Sequence, residues 1–140
     1  MADNSRAVET SATPENVWAA WSDTSTWPEW NPDIEKVNLS GAFAEGTTGT
    51  MDTKSGGHHN IQLVGVQPGR EFTLISDLPM PATKVAFRCL IEPAGSGSRI
   101  SQAVTVKGLL APIMGGMITG RIVPSFDPLL QGLKGHVEAK

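Results

Sequence analysis

With 140 residues, 39% hydrophobic side chains and 15 glycines, the chain has the size and apolar content of one packed domain, 1–140, and is too apolar to be disordered. Its 11 basic and 14 acidic side chains leave a net charge of -3 with no basic stripe, which argues against nucleic acid and anionic membrane as partners. Cys89 is the only cysteine, so an intrachain disulfide and a cysteine-based zinc site are excluded; lacking a secretory-type opening, and with no apolar run near the roughly 20 residues that span a bilayer, it is expected to be cytoplasmic and without integral membrane association.

The first predicted element is a short strand around Arg6 to Ala12. Thr13-Pro14-Glu15 then combines a capping hydroxyl, a proline at the first helical position and an acid, which starts a helix over Pro14 to Ser22 with Val17, Trp18 and Trp21 on one face. Asp23 to Ser25 breaks it, and a second short helical turn carries Trp27 and Trp30. Pro28 and Pro32 keep that turn short, because each lacks an amide donor and constrains the residue before it.

From Ile34 to about Lys107 the apolar period changes to two. Breaks at Gly41 to Gly46, Ser55 to Gly57, Pro68-Gly69, Pro79-Met80-Pro81 and Gly95 to Gly97 divide the segment into an antiparallel meander. Parity places Met51, then His59, Ile61 and Leu63, then Phe72, Leu74 and Ser76 on the covered face. Val85, Phe87, Cys89 and Ile91, and Ile100, Gln102, Val104 and Val106, continue it. Leu109 to Val123 is apolar at helical spacing, with Leu110, Met114, Ile118 and Ile122 on one stripe and Ile113 and Met117 beside it. Pro124 must interrupt this helix, and Asp127-Pro128 predicts a fresh cap and first turn for Leu129, Leu130, Leu133 and Val137.

This order of elements resembles the helix-grip fold of the START/Bet v 1-like (SRPBCC) superfamily, in its polyketide cyclase/dehydrase-like branch. The residues that carry the resemblance are Ser11-Ala12-Thr13-Pro14-Glu15-Asn16-Val17-Trp18, the Trp27-Pro28-Glu29-Trp30-Asn31-Pro32 corner, and Leu129-Leu130-Gln131-Gly132-Leu133-Lys134. It implies an α+β fold: a curved antiparallel sheet of about six or seven strands wrapped around a long, kinked C-terminal helix, with two short helices after the first strand. It also implies an elongated apolar cavity between sheet and helix. Gly65 and Cys89 on the sheet, opposed by Gly115, Gly116 and Gly120, remove bulk where the two layers would otherwise interlock.

The expected partner is therefore a small apolar or aromatic molecule such as a lipid or a polyketide-like compound. Trp27, Trp30, Met51, His59, Ile61, Phe72, Ser76, Phe87, Cys89, Gln102, Met114, Met117 and Arg121 are the predicted lining. Gln102 and Ser76 are polar groups in apolar rows, where a ligand carbonyl or hydroxyl, a water or a backbone group must satisfy them. His59 points inward while His58 points to solvent, and an imidazole suits the acid–base work of a cyclase or dehydratase, the alternative to pure binding. Asp52 is a further acid, and Arg121 is placed to anchor an acidic ligand head. Cys89, in an apolar row, reads as inert. A third reading is a co-chaperone-like partner module with Trp27, Trp30 and Pro79-Met80-Pro81 as an exposed patch. No paired-histidine metal spacing, phosphate-cradling loop, nucleophile elbow or cofactor motif is present.

Overall fold

The computed structural model describes residues 4–54, 57–78 and 82–139. The polar Thr13 hydroxyl accepts from the Asn16 amide and Pro14 occupies the first turn, so α1 (Pro14–Ser22) begins where its sequence dictates. After a 3-10 turn at Thr24–Thr26 comes α2 (Trp27–Trp30). The seven strands are β1 (Ser5–Thr10), β2 (Ile34–Leu39), β3 (Thr48–Thr53), β4 (Gly57–Gln67), β5 (Glu71–Asp77), β6 (Thr83–Ala94) and β7 (Gly97–Gly108). They form one antiparallel sheet in the order β1-β7-β6-β5-β4-β3-β2. The first strand therefore pairs with the last, and α1 and α2 carry the chain from one sheet edge to the other.

The C-terminal segment consists of α3 (Ala111–Ile122), a 3-10 turn at Val123–Ser125, and α4 (Phe126–Glu138). Pro124 lies in that turn, as a residue without an amide donor must. The second piece begins two residues earlier than Asp127-Pro128 suggests. Ser125 is its N-cap without a side-chain bond, and Asp127 sits inside the first turn, where a carboxylate favours the helix dipole.

The covered-face parity holds across the sheet. Leu63, Phe72, Leu74, Val85, Ile91, Ile100 and Val104 are buried, and registers such as Cys89↔Gln102 and Leu74↔Phe87 place them on one concave surface. Gly65 departs from this pattern: it is exposed, at a φ of 61°, where the β4–β5 register shifts at a bulge. α4 closes one end of the concave face with Leu129, Leu130, Leu133 and Val137. It is tied to β1 through Glu138, which accepts from the Thr10 hydroxyl at 2.7 Å and the Ser11 amide at 3.3 Å, and through Lys134, which donates to the Glu9 carbonyl at 2.8 Å.

Candidate functional site

The concave face has two ends of different character. At the end where β5 starts and β7 begins, Phe72 sits inside a shell of rings. Phe43, Trp21, Trp27 and Trp18 lie with centroids 5.0, 5.2, 6.1 and 6.2 Å away. Trp27 stacks on Phe72 and the other three meet it edge-to-face, pairings that add to the burial of large apolar area. The Trp27 indole donates to the Trp21 carbonyl at 2.9 Å, and that of Trp30 to the Thr26 hydroxyl at 3.1 Å. Both tryptophans are buried core, satisfied within the chain. This removes the exposed tryptophan patch on which the partner-module reading rested; its Pro79-Met80-Pro81 component lies outside the described residues.

The other end is where β3 and β5 finish, β4 and β6 start and β7 runs into α3. Here inward-pointing Phe87, Val106, Leu78 and His59 are only half-buried, and Met114 on α3 is half-buried above them. Met51, Ile61 and Ser76 are buried on the same surface. α3 packs mainly on β7, where Gly115 lets the helix approach Val106. Between the two ends, Phe126 stacks edge-on over Phe87 at 6.1 Å.

The polar residues on this surface divide by how they are satisfied. The Ser76 hydroxyl donates to the Asp77 carbonyl at 3.2 Å, a backbone solution. Gln102 is different: it is only 7% exposed, its side-chain amide has no hydrogen-bond partner among the described residues, and its polar atoms are not fully closed off from solvent. Register places Gln102 between Cys89 on one side and Arg6 on the other, all on the concave face. Arg6 leans toward Asp127 of α4 at 3.7 Å. Burial pushes the Cys89 thiol far above its ordinary range, leaving no thiolate at neutral pH.

The His59 side chain is 14% exposed, with Nε2 3.2 Å from the Thr53 hydroxyl and Nδ1 3.6 Å from the Asp77 carboxylate. His58, on the opposite face, pairs with Asp52. Neither Thr53 nor Asp77 stands out in the sequence as a partner of His59. Thr53 shares the parity of Met51, but only the β3–β4 and β4–β5 registers bring the three side chains together. The sequence also passes over His136 on α4, whose buried Nε2 has no partner among the described residues.

Three expectations do not hold. Met117 is 49% exposed and Arg121 is exposed, so both turn away from the concave face toward solvent. Helical geometry explains this: Leu110, Met114 and Ile118 take the sheet-facing stripe and leave the neighbouring stripe outward. Gly116 and Gly120 face open space, so of the helix glycines only Gly115 opposes the sheet. Two surface clefts, of about 630 and 530 Å³, lie on the convex face, one lined by Arg88, Leu90, Arg99 and Ser101 and the other by Thr50, Gln62, Ile75 and Lys84. Of the predicted lining residues only Ile61 touches either.

The chain matches the model of the family described as polyketide cyclase / dehydrase and lipid transport over residues 1–138. No match was found among the curated proteins. Among solved structures it is similar to Ara h 8.0201, with 14% identity, 97% of each chain covered and a TM-score of 0.76. A START superfamily protein from Mycobacterium smegmatis is 21% identical, with 96% of each chain covered and a TM-score of 0.71. DynU16, a putative protein in the dynemicin biosynthetic locus, is 14% identical with a TM-score of 0.74; the match covers 96% of this chain and 46% of that one. At these identities the likeness is one of fold.

Proposed function

Because the chain belongs to the polyketide cyclase/dehydrase and lipid transport family, with a START/Bet v 1-like helix-grip fold, we propose that it acts as a single cytoplasmic domain binding a small apolar or aromatic molecule between the concave sheet and the C-terminal helices. The observation that carries this reading is Gln102. Its amide makes no hydrogen bond to the described chain and keeps only slight solvent contact, so a ligand carbonyl, hydroxyl or carboxylate that reaches it supplies a hydrogen bond the chain does not. Phe87, Val106 and Met114, half-buried near this face, supply the apolar walls, and Met adapts its shape to more than one ligand.

The test is a thermal-unfolding screen against fatty acids, sterols, quinones and polycyclic aromatics, since a ligand that binds only the folded state raises its stability by mass action. A saturable rise with one class, weakened in Gln102→Leu and Met114→Asp variants that remain folded, is the expected result. A second reading, acid–base chemistry on the bound molecule in the manner of a cyclase or dehydratase, is favoured by the clasp of His59 between Thr53 and Asp77. If it is right, His59→Ala and Asp77→Asn lower turnover of the bound compound while leaving its affinity within about threefold; efficient general acid–base catalysis contributes about 10²–10⁴-fold. Unchanged turnover in His59→Ala would remove that reading and leave binding intact.

A further inference from the structure

The outer stripe of α3 is apolar where a solvent-facing helix surface is ordinarily polar. Leu109 just before the helix, Ile113 and Met117 follow one another at four-residue spacing and are 68%, 81% and 49% exposed. Among the described residues they are the large hydrophobic side chains most open to solvent. Arg121, the next residue on the same spacing, is exposed, and Lys107 precedes the stripe at its other end. Gly116 and Gly120 have nothing around them and add no polar rim. No acidic side chain occurs from Pro93 to Phe126, although the chain as a whole carries -3.

We propose that this stripe docks peripherally on an anionic phospholipid surface, with α3 lying in the interface plane. Leu109, Ile113 and Met117 would enter the headgroup–acyl boundary while Lys107 and Arg121 meet phosphate or carboxylate headgroups. No helix among the described residues is long and apolar enough to cross a membrane, so this contact lies on the bilayer. The overall negative charge argues against such a partner only if it is spread evenly, and the segment that carries the stripe holds none of the chain's acids.

Charge also decides against a second copy of the chain as the occupant. Pairing two α3 stripes face to face would bring Lys107 and Arg121 of each copy onto those of the other, with no acid on the helix to compensate. A protein partner would have to supply a groove shaped to one convex helix and rimmed with acids. A bilayer interface requires only an apolar stripe with cations at its ends. The contact does not depend on the ligand-binding reading, because these side chains point away from the concave face.

The experiment is flotation of the full chain with phosphatidylcholine vesicles and with phosphatidylcholine vesicles containing phosphatidylserine, at low and high salt. Binding is expected only to the phosphatidylserine vesicles, falling with salt. A Leu109→Ser/Ile113→Ser pair and a Lys107→Glu/Arg121→Glu pair should each weaken it by about tenfold or more. Thermal unfolding confirms that the variants stay folded, as changes at exposed positions should allow. The proposal is overturned by absence of vesicle binding, by equal binding of the variants, or by a concentration-dependent dimer that Ile113→Ser abolishes.

Discussion

Gln102 and Ser76 face the same concave surface and meet opposite fates. Ser76 is satisfied by the neighbouring Asp77 carbonyl, whereas the Gln102 amide bonds to none of the described residues and keeps slight solvent contact. Replacing Gln102 by Leu removes, at similar volume, a largely buried polar group that bonds to none of the described residues. It should leave stability unchanged or raise it by about 1 kcal/mol, read by urea unfolding, while affinity for a ligand that uses the amide falls about tenfold or more. A loss of stability instead would mean that the amide already has a partner in the folded chain. Trp27 gives the contrasting case. It stacks in a ring cluster with its indole N–H bonded to the backbone, so Trp27→Ala should cost about 3–5 kcal/mol and do so with or without ligand. The inward direction of Gln102 could be read from strand parity, whereas Trp27 on its short turn could be read as lining or as an exposed patch; the partners of neither could be read, because they depend on register and on which ring fills which space.

Within the elements, the sequence was most legible where one residue dictates geometry. The Thr13-Pro14 start of α1 and the break at Pro124 are of this kind. The facing of α3 was harder, since Ile113 and Met117 are as apolar as the stripe that meets the sheet; the hydrophobic pattern fixes a helix without fixing its rotation. The helix glycines show the same limit. Gly132 lies where a Cβ would collide with the Trp30 carbonyl oxygen, while Gly116 has open space around it. Gly132→Ala should therefore force α4 away from α2 and destabilise by about 1–3 kcal/mol, and Gly116→Ala should stabilise by about 0.5–1 kcal/mol through helix propensity. Equal effects at the two positions, measured by denaturant midpoint, would contradict this packing of the terminal helices.

For the molecule as a whole, the helix-grip order of elements was legible because the periodicity changes twice along the chain, from helix to strand and back. The arrangement of the concave face was not, because the sequence does not state how far α3 extends across the sheet. Two carboxylates on opposite faces couple the fold to pH. Hydrogen bonds from Thr10 and Lys134 hold Glu138 below the ordinary value of 4.5. A two-pronged contact from Arg88 does the same for Glu71. A carboxyl with a lowered folded-state pKa contributes stability that is fully present above its unfolded value and lost as pH falls through the folded one. Stability should thus decline below about pH 4.5, and Glu138→Gln should flatten part of that decline while releasing the end of α4 from β1. A pH profile in that range with the same slope in the variant would show that Glu138 does not couple the two elements.

The central claim concerns where a ligand sits, and amide chemical-shift mapping tests it most directly. The isotope-labelled protein is titrated with whichever compound of the screen raises its melting temperature most. The account predicts that the shifts concentrate on Phe87, Gln102, Val106 and Met114, along the concave face and α3. Shifts confined to Arg88, Leu90, Arg99 and Ser101, which line the larger convex cleft, would contradict it, as would a protein that responds to none of the compounds.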